Sequence, residues 1–312
     1  MGKVAFLFAG QGAQHPGMCA DLIASEPAAK AVFDAADEVR PGTTEQCLSA
    51  TKEELAQTIN TQPCVFAADL AAARALEARG VRPDVVAGFS LGEVAALTFA
   101  GAYTDEQGFE LVCRRAELMA EAAEKNPGAM RAVVKLDAET VERLAAEAGD
   151  ECWPVNYNSP AQTVVAGTPE ACERLDALVK EAGGRAMRVA VSGAFHSPFM
   201  AEAASGLAAY LADGHEPAEP SVPVLANRTA EPYPELAAER AELLASQVAN
   251  PVQWVRTLER MAADGVDTFV EVGPGKTLTG LVGRTLDGVT ALPCETLEQL
   301  EAVLAALPAK ED

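Results

Sequence analysis

Short apolar runs and longer amphipathic stretches alternate along this chain. KVAFLFAG, at the start, is apolar after its first residue and reads as a strand. VRPDVVAG, VPVLAN, VDTFVEVG and VTALPC carry the same signature further on. Stretches with apolar residues at helical spacing separate them. Strands alternating with amphipathic helices predict a mostly parallel α/β sheet.

The middle of the chain follows another rhythm. AMRAVVKL reads as a strand, AETVERLAAEAG as a helix, CWPVNYN and QTVVAG as two strands, PEACERLDALVKEAG as a helix and RAMRVAV as a strand. The order β-α-β-β-α-β is that of a ferredoxin-like unit. The chain leaves the main sheet near EKNPG and returns near SGAFHSP. This predicts a core built from residues 1–126 and 195–312, with residues 127–194 as an inserted subdomain. No internal repeat of fixed period and no low-complexity tract interrupts the pattern, and the closing PAKED reads as a frayed end.

Composition narrows the classes. The 312 residues are 49% hydrophobic, enough for a sizeable core, and alanine-rich, which suits helices. A net charge of −22 argues against a general nucleic-acid binder, which needs a basic footprint. The seven cysteines are scattered without a C-x-x-C pair or zinc spacing, so reduced thiols in a cytoplasmic protein are expected. The start lacks the long apolar region and cleavage site of a signal peptide, and no apolar run is long enough to span a bilayer.

The chemistry centres on GFSLGE, residues 88–93. Gly88, Ser90 and Gly92 have G-x-S-x-G spacing, between the strand DVVAG and the helix EVAALTFAGA. A sharp strand-to-helix turn lifts the serine above the sheet, where it can act as a nucleophile. Glycines on either side permit close packing that a side chain would obstruct. The competing reading is a serine in a small-residue turn.

A nucleophilic serine needs a base, usually histidine. His215 sits in the acidic, proline-bounded DGHEPAEP and reads as surface loop; His15 follows GQGAQ in the first βα loop. His196, in SGAFHSPFM, lies where the chain re-enters the core, and a cleft between domains is a natural site. It is the best base, against a plain hydrogen-bonded junction histidine. FAGQGAQ, residues 8–14, follows the first strand directly, and its small residues let backbone approach a ligand. The backbone N–H of Gln11 and that of Leu91, just after the nucleophile, are the natural oxyanion donors.

The helix DEQGFELVCRRAELMAEAAEK opens on a capping box, Thr104 with Gln107. Phe109, Val112, Cys113, Ala116, Met119 and Ala120 fall on one face. Arg114 points away from it, with Glu110 and Glu117 at contact spacing. Arg115 lies on the flank of the stripe with no carboxylate of its own. A partly buried guanidinium needs an anion. A substrate carboxylate, held by two parallel hydrogen bonds, is one answer; a distant structural ion pair is the other.

FAGQGAQ, GFSLGE, RAELM, GAFHSPFM and NPVQW, together with TQP, NSPAQTVVAG and EVGPGK, resemble malonyl-CoA:acyl-carrier-protein transacylases in order and spacing, nearly from end to end. The resemblance implies an α/β-hydrolase-like core carrying a ferredoxin-like insert. It implies Ser90 as the acyl carrier, His196 as its base, Gln11 and Leu91 as the oxyanion hole and Arg115 as the holder of the malonyl carboxylate. It implies that the backbone carbonyl of Gln247 orients the histidine, in place of a triad aspartate. The implied partners are malonyl-CoA and acyl carrier protein, in fatty acid biosynthesis, with no metal or bound cofactor. Lys276 and Arg284, flanking the GPGK loop and the helix after it, are the docking candidates for the usually acidic carrier; ordinary surface charge is the competing reading. Phe89 departs from the histidine many members carry there and predicts altered packing at the elbow. Phe195 before His196 resembles malonyl-selective members. A serine thioesterase or esterase, a transferase serving a polyketide pathway, and a non-catalytic scaffold with the same fold remain alternatives.

Overall fold

The computed structural model describes residues 2–191 and 193–307, so the PAKED end lies outside the described residues. Its strands are β1 (Lys3–Phe8), β2 (Val85–Gly88), β3 (Ala129–Val134), β4 (Cys152–Ser159), β5 (Gln162–Gly167), β6 (Arg185–Arg188), β7 (Val224–Leu225), β8 (Val266–Val272) and β9 (Thr290–Cys294). They form two sheets. One is parallel, in the order β7-β2-β1-β8-β9; the other is antiparallel, in the order β4-β5-β3-β6.

β1 explains why the parallel sheet reads as continuous apolar runs. Val4, Phe6 and Phe8 face one core cluster, where Phe6 and Phe8 meet the Phe99 ring. Ala5 and Leu7 face a second cluster containing Trp254 and Leu258. Side chains alternate with period two, so a strand covered on both faces is apolar at every position. The helix Thr58–Ala78 is buried on nearly all sides, carrying Gln62 and Asp69 into the core.

The antiparallel sheet is one-sided. Val133 and Val165 pack against Val141, Leu144, Leu175 and Val179 of the helices Ala138–Ala148 and Pro169–Glu181. Its opposite face, with Met130, Ala132 and Val164, turns to a cleft shared with the parallel sheet.

Three strands are shorter than their apolar runs. VRPDVVAG pairs only from Val85, because Pro83 has no N–H to give a ladder. VPVLAN contributes two paired residues, Val224 and Leu225. RAMRVAV stops at Arg188; Val189 still donates to Met130 O, then the chain turns so that Val189 and Val191 line the cleft. No helix among the described residues is long and apolar enough to cross a membrane.

Candidate active site

The turn after β2 is sharp, and its glycines are there for contact reasons. A Cβ on Gly88 would stand 1.8 Å from Gly92 O, and one on Gly92 would stand 2.4 Å from Phe8 O. Ser90, between them, sits in the left-handed region with φ +55°. For a residue with a side chain this is a strained conformation, held only where the surroundings over-determine it. The helix Gly92–Phe99 starts immediately afterwards.

His196 also has a left-handed backbone, φ +60°. Its N–H donates to Val248 O, and its side chain is buried. Nδ1 lies 3.0 Å from Gln247 O and 3.2 Å from Asn250 O. Both are acceptors only, so Nδ1 carries the hydrogen and Nε2 has a free lone pair. That lone pair lies 2.8 Å from Ser90 Oγ, which therefore donates to it. Burial pushes the imidazole's pKa down to about 4, with the nearby Arg115 charge adding to the effect and the two carbonyls opposing it. The ring is neutral at physiological pH.

Arg115 is not on a partly exposed flank. It is 1% exposed and belongs to the buried face of the helix Asp105–Lys125. That face is wider than the apolar stripe suggests and includes Leu111 and Leu118, because the helix packs against several neighbours. Its Nη1 donates to Gln62 Oε1 (2.7 Å); Nη2 donates to Gln247 Oε1 (2.8 Å) and Ser90 Oγ (3.2 Å). Nε has no partner among the described residues. A guanidinium has five N–H groups, so the bonds to Gln62, Gln247 and Ser90 do not use all of them, and Arg115 lines the cleft. Desolvation lowers the Arg115 pKa to about 10, partly offset by Glu93, so the group stays charged. Arg114, its neighbour in sequence, is at the surface, bonded to Glu117 at 3.0 Å.

Beneath the elbow lies a buried polar network. Glu93 accepts from Tyr233 Oη, from the Asn227 N–H at 2.9 Å and from Gln247 Nε2 at 3.1 Å. Gln247 Nε2 also reaches Ser90 O at 2.8 Å. Burial raises the Glu93 pKa against these hydrogen bonds and the Arg115 charge. Gln62, Glu93, Asn227, Tyr233 and Asn250 escaped sequence reasoning. The available signal was a glutamine or glutamate at an otherwise apolar helix position, and an asparagine ending a short apolar run.

The cleft between the two sheets has a volume of ≈270 Å³. Ser90, His196, Arg115, Gln11 and Leu91 line it from the parallel-sheet side, together with Phe89 and Phe195. The N–H groups of Gln11 and Leu91 have no acceptor among the described residues. Phe89 packs edge-on against Trp254 with ring centres 5.2 Å apart. Gln247 lies behind the cleft, bonded to both Arg115 and Ser90. Lys276 and Arg284 are exposed at the two ends of the helix Thr277–Thr285, whose Thr277, Leu278 and Leu281 face the cleft. Arg284 Nη1 lies 3.5 Å from Gln162 Oε1.

The other two histidines are away from Ser90. His15 pairs with Glu295 at 2.5 Å. His215 is half-buried rather than a free surface residue: its ring stacks on Tyr210, and its Nδ1 lies 3.0 Å from Tyr210 O.

Residues 5–301 match the family model described as "Acyl transferase domain". A malonyl CoA-acyl carrier protein transacylase of Bacillus subtilis (strain 168) is 37% identical over 321 aligned residues, covering 100% of this chain and 99% of that one. Its namesake in Escherichia coli (strain K12) is 40% identical over 315 residues, covering 98% and 99%. Among solved structures, a malonyl CoA-acyl carrier protein transacylase from Clostridium perfringens superposes with a TM-score of 0.92 at 35% identity, covering 97% of this chain and 96% of that one. A malonyl-transacylase in complex with a type II PKS acyl-carrier protein superposes with a TM-score of 0.94 at 36% identity, covering 98% and 100%.

Proposed function

The chain belongs to the family of malonyl CoA-acyl carrier protein transacylases, and from that premise we propose that it moves a malonyl group from malonyl-CoA to the phosphopantetheine thiol of an acyl carrier protein through a malonyl-serine ester. The observation that carries this reading is the contact of Ser90 Oγ with both a neutral, oriented imidazole and a buried guanidinium.

In the first half-reaction Ser90 Oγ attacks the thioester carbonyl while its proton passes to His196 Nε2. The Gln11 and Leu91 N–H groups hold the tetrahedral oxyanion. The carbon–sulfur bond then breaks, and the CoA sulfur takes the proton from His196. In the second, the pantetheine thiol gives its proton to His196 and attacks the ester carbonyl, and Ser90 leaves with that proton. The Gln247 carbonyl keeps Nδ1 protonated throughout.

Arg115, which lines the cleft beside Ser90, holds the malonyl carboxylate. This also tunes the base. The Arg115 charge depresses the pKa of His196 in the free enzyme, so a bound carboxylate that neutralises it makes the imidazole more basic as the substrate arrives. Phe89 and Phe195 give the cleft apolar walls around the short acyl chain. The exposed Lys276 and Arg284 are the carrier-docking candidates on the rim. The working division is a catalytic core of residues 1–126 and 195–312 and a subdomain of residues 127–194 that closes the cleft. The reaction belongs to the cytoplasm and to fatty acid biosynthesis in this reading.

Intact-mass spectrometry after mixing with malonyl-CoA tests it. The parent is expected to gain one malonyl group and to lose it on addition of a pantetheine-bearing carrier. Ser90→Ala is expected to gain none while keeping its fold, since the elbow geometry does not depend on the hydroxyl. A malonyl adduct on the variant, or hydrolysis outrunning transfer in the parent, overturns the reading.

A further inference from the structure

The network beneath the elbow includes Asn227. Asn227 follows β7, is fully buried, and has every polar atom engaged. Its side-chain Oδ1 accepts from Ser90 N–H at 2.7 Å, and its Nδ2 donates to Gly88 O at 2.6 Å. Its backbone N–H donates to Glu93, and its carbonyl accepts from Gln253 N–H at 2.8 Å. The amide orientation is set by these partners: a donor faces Oδ1 and an acceptor faces Nδ2.

The geometry has a simple origin. β7 pairs with β2 only through Val224 and Leu225, opposite Val86 and Ala87. The ladder ends just before the elbow, leaving Gly88 O and Ser90 N–H without a strand on the β7 side. A primary amide presents a donor and an acceptor side by side, as a peptide edge does. The Asn227 side chain thus supplies the next rung after the β7 backbone has turned away. Both bonds hold the backbone that leads into the strained φ of Ser90, while Gln247 Nε2 holds Ser90 O beyond it, so together they fix the one conformation that aims Oγ at His196. Tying up Ser90 N–H also leaves Leu91 N–H as the free elbow donor.

We infer that Asn227 is the positioning residue of the nucleophile elbow, acting through the backbone that enters it, at Gly88 O and the Ser90 N–H, and touching no substrate. This rests on the reading of Ser90 as the acylated residue.

The test is single-turnover acylation by malonyl-CoA, followed by intact mass across substrate concentrations, in the parent and in Asn227→Leu. The variant keeps the volume and loses the side chain's hydrogen bonds to Ser90 N–H, Gly88 O and Gln247 Nε2. Its maximal acylation rate is expected to fall on the order of ten- to a hundredfold, as for a misplaced reacting atom, while the half-saturating concentration stays within about twofold. An unchanged maximal rate, or a loss confined to half-saturation, overturns the inference. Asn227→Asp covers the case in which the leucine variant does not fold. A protonated carboxyl can give one donor and accept one bond, as the amide does; an ionised one cannot donate to Gly88 O. The charged and titratable groups around that position are Glu93, with Tyr233 and Arg115 beyond it, and His196 across Ser90. The ratio of variant to parent acylation is expected to fall as pH rises. A pH-independent ratio near one overturns the inference. If the parent itself forms no Ser90 adduct, the functional reading fails instead, so the two failures are distinguishable.

Discussion

The two walls of the cleft are built on opposite terms. The parallel-sheet wall is crowded, strained and cross-braced: Ser90 and His196 both hold left-handed backbones, and Glu93, Asn227, Gln247 and Arg115 brace one another. The antiparallel-sheet wall is relaxed. It offers the apolar Met130, Ala132 and Val164, and the amides of Asn156, Asn158 and Gln162. Asn158 Oδ1 is buried with no partner among the described residues. The difference teaches which wall performs which task. Bond-making needs atoms held to a fraction of an ångström, and only mutual bracing achieves that. Binding an amide-bearing ligand needs polar groups left free to meet it.

If the comparison is right, substitutions on the braced wall lower the maximal rate, and those on the relaxed wall weaken binding. The largest effect is expected for His196→Ala, which removes the shared base and acid. Each half-reaction should slow on the order of a hundredfold or more in single-turnover measurements. Equal rates for variant and parent would break the assignment.

Arg115→Ala comes next. Losing a charged hydrogen bond of roughly 1.5–3 kcal/mol should reduce malonyl transfer about tenfold to a hundredfold, with a much smaller loss for acetyl-CoA, which has no carboxylate. The readout is the ratio of the two efficiencies. The same variant sharpens the electrostatic account. In the parent, His196 must be neutral to accept a proton, so kcat/KM should hold at mildly acidic pH and decline only as pH falls towards about 4. Removing the nearby positive charge favours the imidazolium, so the acid limb should move to higher pH. An unmoved limb together with an unchanged ratio would make Arg115 purely structural. Arg115→Lys should not restore the parent ratio, because an ammonium lacks the planar two-point geometry.

The smallest effect is expected for Asn158→Ala on the relaxed wall. One neutral hydrogen bond contributes roughly 0.5–1.5 kcal/mol, so half-saturation by malonyl-CoA should rise about two- to tenfold at an unchanged maximal rate. A fall in maximal rate without a change in half-saturation would erase the distinction between the walls.

Much of this molecule is legible in one dimension. Apolar runs locate the strands, and helical spacing locates the helices. Thr104 with Gln107 marks a helix start, and a capping box forms there. The spacing of Gly88, Ser90 and Gly92 marks an elbow because its tightest constraint is local: a Cβ on Gly88 would strike Gly92 itself, whereas Gly92 is kept bare by the distant Phe8 and Ala9. The depth of Arg115 is of another kind. Periodicity places it beside an apolar stripe, but neighbouring elements bury it against Gln62, 53 residues away, and Gln247, 132 residues away. Asn227 clamps Ser90 across 137 residues, and no local pattern distinguishes it from an asparagine ending any short strand. Local steric and periodic rules write themselves into neighbouring letters. The partner of a buried polar group depends on which distant segments the two sheets bring together, so only the tertiary structure decided how the elbow is held.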